Sequence, residues 1–340
     1  MESIYGKTIE QLNDEFLQIN QKKFRATQVF EWLYQKKATS FDQMSNLSKE
    51  LREKLASLYY FENVTIKEKQ ESSDGTIKFL FELSDGGLIE TVLMRFNYGN
   101  SVCVTSQLGC NMGCRFCASG LLKKQRDLTA AEMVIQVLMV ERVTKERISH
   151  IVVMGTGEPF ENYEEVNRFV HIINHSLGLA IGSRHITIST CGLVDKILEY
   201  ANNGLQTNLA ISLHAPNDEI RNQLMPINKK YPMDVLKEAI KTYSEKTNRR
   251  VTFEYILLDG VNDSLIHARQ LAHYVHGLNA YVNLIPYNSV SEFQYQQSKS
   301  QNVEAFKNEL LRLQVNTTLR KEKGSDILAA CGQLRAKHKK

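Results

Sequence analysis

Cys110-Asn-Met-Gly-Cys114-Arg-Phe-Cys117 sets three thiols at C-x3-C-x2-C spacing. No other stretch limits the fold and chemistry of this chain as tightly. Thiolates so close in sequence converge on one metal centre, and soft sulfur ligands select zinc or an iron–sulfur cluster. A structural zinc takes four protein ligands, usually as two pairs, and no second ligand pair is expected within reach. A four-iron cluster held by three cysteines leaves one iron open, and an open iron can bind a substrate. The competing readings are a zinc knuckle and chance clustering of buried cysteines. Three of the six cysteines fall inside eight positions, which weighs against chance.

The strand and helix pattern around this motif is regular. Residues 1 to about 60 read as three short helices: Thr8–Leu17, Thr27–Tyr34 with the only tryptophan, and Asn46–Leu55 with Ser48 as N-cap. This predicts an N-terminal helical accessory domain over 1–60. Thr76–Leu83 and Leu88–Arg95 alternate about the turn Ser84-Asp-Gly-Gly87, predicting a β-hairpin adaptor over 61–95. Val102–Ser106 is the strand that leads into the cysteine loop. Further strands follow at Ile148–Met154, His185–Thr190, Thr207–Leu213, Arg250–Leu257 and Ala280–Ile285, with helical patterns between them. Six strands alternating with helices argue for a parallel sheet. The count is two short of a closed eight-fold barrel. The expected fold is α/β, a partial (β/α)6 barrel over 96–300, with a doubly wound sheet as competitor. A C-terminal extension over 301–340 adds a helix, the strand Val315–Arg320 and a cysteine, Cys331.

Unusual residues collect at the carboxyl ends of these strands, the active-site face of parallel α/β folds. They are the cysteine loop, Met154-Gly-Thr-Gly157-Glu158-Pro159, Ser189-Thr-Cys191-Gly192, Ser212-Leu213-His214-Ala-Pro216, Asp259–Asp263 and Asn283–Asn288. Each has an ordinary structural reading: glycine pairs serve tight turns, and a lone histidine is usually a satisfied core residue. Their joint placement points to a cofactor face, where Glu158 would take ribose hydroxyls or an ammonium.

Charge adds one feature. The net charge is +4, and Arg320–Lys340 carries seven Lys/Arg against Glu322 and Asp326. A basic end reads as a phosphate-contacting element or as a solvated tail. The longest apolar runs are too short to span a bilayer, and Met1–Lys7 has no signal-peptide layout. Few, unevenly spaced cysteines do not make a disulfide framework. A cytoplasmic protein without membrane contact is expected.

Taken together, the chain resembles the radical S-adenosylmethionine (SAM) methyltransferases that methylate adenine carbons in RNA. It is similar in particular to those with dual specificity for 23S ribosomal RNA and transfer RNA. The likeness is carried by Phe24–Tyr34, Ile89–Val92, Cys103–Cys117, Met154–Pro159, Ser212–Pro216, Met225–Asn228, Asn283–Asn288 and Ala329–Leu334. Thr156, Leu328 and Cys191 depart from residues common in relatives. The resemblance implies that Cys110, Cys114 and Cys117 hold a [4Fe-4S] cluster. It implies that Gly157, Glu158, Ser189, Ser212, Leu213, His214 and Asn288 hold SAM, two molecules per turnover. Cys331 would carry a methyl group on sulfur, Glu90 would accept the ring proton of adenine carbon 2, and Cys103 would close a disulfide with Cys331. The substrates implied are 23S rRNA and tRNA, with a reducing partner such as flavodoxin and a monomeric enzyme.

A chemical reason supports such a scheme. An adenine C–H is neither acidic nor nucleophilic, so it cannot attack the methyl of SAM directly, whereas a thiolate can. Three alternatives stand beside this reading. One is a carbon-8 methyltransferase conferring antibiotic resistance, another a radical SAM activase acting on a protein, and the third a zinc-containing RNA-binding module.

Overall fold

One ten-stranded sheet runs through the molecule with its strands in chain order. The structure, a computed structural model, describes residues 1–334. The strands are β1 (Thr65–Glu71), β2 (Ile77–Glu82), β3 (Leu88–Phe96), β4 (Gly99–Cys103), β5 (Ile148–Val153), β6 (Ile186–Thr190), β7 (Asn208–Ser212), β8 (Val251–Leu257), β9 (Ala280–Pro286) and β10 (Thr317–Leu319). The first four pair antiparallel. From β4 onward every neighbour is parallel. Helices bridge the parallel strands: α4 (Ala130–Thr144), α5 (Tyr163–Asn174), α6 (Val194–Tyr200), α7 (Asp218–Leu224), α8 (Met233–Thr247), α9 (Leu265–Val275) and α10 (Ser300–Arg312). This is the partial α/β barrel that the strand–helix rhythm predicts, with β10 joined to its far edge.

Two elements escape the sequence pattern. Strand β1, Thr-Ile-Lys-Glu-Lys-Gln-Glu, has no buried residue, so no alternation marks it, and its lysines suit an edge strand. The hairpin is therefore part of a four-stranded antiparallel run. Helix α7 is short, and Asn217 caps it by accepting from the Ile220 N–H at 3.0 Å.

Alternation along the strands decides what faces the barrel interior. In β8, Val251, Phe253, Tyr255 and Leu257 are fully buried against the helices, while Thr252, Glu254 and Ile256 face inward onto cavities. In β3, Ile89 and Leu93 join the outer core. Thr91 on that same side donates to Gln136 of α4 at 2.8 Å. Glu90, Val92 and Met94 lie on the inner side.

Before the sheet come α1 (Ile9–Gln18), α2 (Lys23–Tyr34) and α3 (Lys49–Leu58). Thr8 and Gln11 form a capping box at α1, and Ser48 caps α3 by accepting from Leu51. Leu12, Phe16, Phe30 and Leu33 are fully buried in the core that also contains α4 and α5. Each such side chain contributes about 1.5–3 kcal/mol by leaving water. Trp32 is only half-buried, and its indole donates to Asn46 at 2.6 Å.

After β10 the chain leaves the sheet and crosses to its other side. Arg320 still donates its N–H to Leu284 of β9 at 2.8 Å. Ala329 and Leu334 pack on Val92 and Met94 of β3. Residues 320–334 thus span the gap in the incomplete barrel. Of the basic end, Arg335, Lys337, Lys339 and Lys340 lie outside the described residues.

Candidate active site

The carboxyl ends of the parallel strands meet the cysteine loop around a cavity of about 130 Å³. Cys110, Cys114 and Cys117 all line it. The loop is shaped by its backbone: Cys110 N–H donates to Leu122 at 2.7 Å, Cys117 to Cys114 at 3.2 Å, and Arg115 to Leu224 of α7 at 2.9 Å. Burial pushes the Cys110 thiol up to about 12 and raises those of Cys114 and Cys117. Without a metal these thiols stay protonated, and a metal would replace the protons. Among the described residues no three His, Cys, Asp or Glu side chains stand close enough to share one ion. Three thiols lining one cavity would suit a cluster in which each iron takes its own thiolate. The His171-x3-His175 spacing is not part of the site: both residues lie at the end of α5, with the His175 ring against Phe30 of α2.

Opposite the loop, the ends of β5, β6 and β7 are tied to one another. Glu158 is buried, and each of its oxygens accepts a backbone N–H, from Phe160 at 3.0 Å and from Cys191 at 2.8 Å. Burial raises its pKa, and those N–H groups oppose the rise. Gly157 has φ +116°, and a Cβ there would lie 2.7 Å from Gln107 Cβ, so only glycine fits. His214 adopts φ +57° at the exit of β7. Its Nδ1 accepts from the Ile256 N–H at 3.1 Å, and burial depresses its pKa to about 3. The ring is therefore neutral, with its other nitrogen a donor. Gly157, Glu158, Ser189, Ser212 and His214 all line this cavity.

A second, wider cavity of about 1030 Å³ occupies the barrel interior. Cys103 and Asn288 line it, and Cys331 lines both cavities. Cys103 is buried beneath Ala329 and Leu334, and that burial pushes its thiol up to about 12. Cys331, by contrast, is an exposed thiol, and Arg320 lines the same two cavities beside it. Glu90 sits on the inner side of β3, and Lys78 Nζ of β2 lies 3.4 Å from its Oε1.

Three expectations need correction or refinement. Leu213 does not reach either cavity: its side chain is fully buried in the main core, its N–H donates to Glu254 and its carbonyl accepts from Arg221. All six cysteines are free thiols, so the Cys103–Cys331 disulfide is not formed here. Asn288 belongs to the wide cavity and is absent from the lining of the cysteine cavity.

Sequence reasoning also missed residues that shape the site. Glu254 and Arg320 line both cavities. A lone glutamate on the inner face of an apolar strand was the available signal for the first. Arg221 is fully buried and donates to the carbonyls of Cys191 at 2.7 Å, Ser212 at 3.2 Å and Leu213 at 3.2 Å. It fastens the ends of β6 and β7, and nothing in its local sequence announces that.

Two family models match the chain. Residues 104–272 match the radical SAM superfamily, and residues 3–60 match the ribosomal RNA large subunit methyltransferase N-terminal domain. The chain is 55% identical to a probable dual-specificity RNA methyltransferase RlmN of Staphylococcus carnosus, over 99% of this chain and 94% of that protein. The chain belongs to the RlmN family of radical SAM RNA methyltransferases. A probable dual-specificity RNA methyltransferase RlmN of Staphylococcus aureus strain JH9 is 54% identical over 99% of this chain and 94% of its own. The crystal structure of a radical SAM methyltransferase from Sphaerobacter thermophilus has the same fold, with a TM-score of 0.94 and 42% identity. That match covers 99% of this chain and 100% of the other. Enzymes of this family use a [4Fe-4S] cluster and SAM and act on RNA. Among the described residues no helix is long and apolar enough to cross a membrane.

Proposed function

We propose that this RlmN-family enzyme methylates carbon 2 of an adenosine in 23S rRNA and in tRNA, with Cys331 as the methyl carrier. The observation that carries the reading is the position of Cys331. It faces the cavity of the three cluster cysteines and also the wider cavity that contains Cys103. Cys110, Cys114 and Cys117 would hold the cluster, and Gly157, Glu158, Ser189, Ser212 and His214 would line the space for SAM, which Asn288 would meet from the wider cavity. When bound, the cluster and SAM supply a 5′-deoxyadenosyl radical.

The protein's own residues would do the rest. As a thiolate, Cys331 attacks the methyl carbon of SAM, S-adenosylhomocysteine leaves, and the methyl stays on the cysteine as a thioether. A hydrogen atom then leaves the Cys331 methyl, the carbon joins adenine, and the adduct gives up one electron, for which the oxidised cluster would be the acceptor. Glu90, on the inner face of the sheet, takes the ring proton and restores aromaticity. Cys103 then attacks the Cys331 sulfur: a disulfide forms, the sulfur–carbon bond breaks, and the carbon keeps the electron pair and takes up a proton to become the methyl group on the RNA. A flavodoxin-type donor would reopen that bond and reduce the cluster. The enzyme would work as a cytoplasmic monomer. Its 1–60 helices and its basic C-terminal end would meet RNA through phosphate contacts and shape. The exposed Phe24 ring, with Arg25 4.8 Å from its centroid, marks one face of those helices.

Mass spectrometry of nucleosides from digested 23S rRNA and tRNA tests the assignment. The expected product is 2-methyladenosine in both RNAs. A methyl group on carbon 8 instead would replace this reading with the resistance-type one.

A further inference from the structure

Residues 324–334 are fastened at both ends. The far end meets the cysteine loop, where Ala118 N–H donates to Gly332 at 2.7 Å and Ser119 Oγ to Leu334 at 2.8 Å. The near end meets the β1–β2 hairpin through a set of side chains that the chemistry above does not use. Ser72 Oγ donates to Asp326 Oδ1 at 2.5 Å, and the Ser73 N–H donates to Asp326 Oδ2 at 3.1 Å. Asp74 Oδ2 accepts from the Gly324 N–H at 3.2 Å, with Lys323 Nζ 3.7 Å away. Gly324 has φ +65°, and a Cβ on it would lie 2.9 Å from Thr76 Cγ2, so the segment touches the hairpin through glycine.

Lys78 completes this set. Its ammonium lies 3.3 Å from the Leu328 carbonyl and 3.4 Å from Glu90 Oε1. Leu328 has φ +52° while its side chain is 51% exposed. A leucine gains nothing from that backbone region by itself. Its carbonyl is turned toward Lys78.

We propose that the β1–β2 hairpin is a docking cradle that seats the Cys331 segment. Ser72, Ser73 and Asp74 hold its stem through Asp326 and Gly324, and Lys78 sets its height relative to Glu90. The proposal rests on Cys331 being the methyl carrier, and it makes Asp326 and Lys78 positioning residues for the carbon-transfer step. Taking a methyl from SAM needs only the thiolate and SAM. Passing the carbon to adenine and then the ring proton to Glu90 needs the segment and β3 in fixed register.

The test uses reconstituted full-length enzyme with Asp326→Asn and Lys78→Met, two substitutions away from the main core. Hydrogen exchange of the 324–334 amides is expected to speed up about tenfold in Asp326→Asn, the effect of losing one charge-assisted contact, with barrel amides unchanged. Intact-protein mass should show Cys331 methylated as in the parent enzyme. Methylated RNA per 5′-deoxyadenosine released should fall about tenfold in both variants, because the radical step runs uncoupled. Unchanged exchange in Asp326→Asn, or parallel loss of Cys331 methylation and RNA methylation, would overturn the cradle. Absence of methyl on Cys331 in the parent enzyme would instead overturn the carrier assignment, and the exchange measurement would still judge the cradle.

Discussion

The two rims that hold Cys331 are built differently. On the cysteine-loop side the contacts use the loop's backbone and one serine: Ala118 to Gly332 and Ser119 to Leu334. On the hairpin side they rest on charged and polar side chains, Asp326, Asp74 and Lys78. The first rim adjoins the loop between Cys110 and Cys117, so loss of whatever those thiols bind is expected to loosen it. The second needs no cofactor. A carrier held this way can be released at the chemical end while its stem stays tethered.

The largest expected effect comes from breaking the cluster rim. Cys117→Ala should yield colourless protein after anaerobic reconstitution, with no RNA methylation. Exchange should quicken at the amides near Gly332 and stay slow at Gly324. Equal loosening at both ends would mean that the two rims are one unit.

Glu90→Gln removes the proton acceptor; it leaves the cluster rim and the Ser72–Asp326 contacts in place and weakens the ion pair with Lys78. Methylated RNA should form about 10²–10⁴ times more slowly, the usual worth of a positioned base, with Cys331 methylation unaffected. A loss below threefold in single-turnover assays would assign the proton to another group.

Beneath the cluster rim, Glu158 ties β5 to β6. Glu158→Ala strands the N–H groups of Phe160 and Cys191, and should cost about 3 kcal/mol in denaturant unfolding. An unchanged midpoint would show that the β5–β6 junction does not depend on this carboxylate.

The smallest effect concerns His214. Its folded pKa is depressed to about 3 by burial, so between that value and the ordinary 6.5 the unfolded chain binds the extra proton. Stability from this group is full above pH 6.5 and is lost as pH falls toward 3. From pH 7 to pH 5 the parent protein should lose about 2 kcal/mol on this account. His214→Gln should flatten that dependence, and an equal slope in both proteins would place the effect elsewhere.

The same contrast governs how much could be read in advance. The cluster rim was legible because its chemistry needs cysteines at fixed spacing, and the strand ends because glycine, serine and histidine interrupt apolar runs there. The strand–helix rhythm gave away the barrel for the same reason: alternation and 3.6-residue periodicity follow from burial on one side. Strand β1 has no buried residue, so burial leaves no mark on it. The hairpin rim was not legible, since Ser72 and Asp326 are 254 positions apart and each is unremarkable in its own neighbourhood. Arg221 and Leu213 make the point from inside the site. The first acts on backbone carbonyls from a short helix, and the second points into the core although its neighbours Ser212 and His214 face the cavity.

The central claim is that carbon reaches RNA by way of Cys331. Reconstituted enzyme is first loaded with methyl-labelled SAM, then freed of it and given RNA, reductant and unlabelled SAM. A single turnover should move the label from the Cys331 peptide into carbon 2 of adenosine. Methylated RNA without label, with the label still on the protein, would contradict the account.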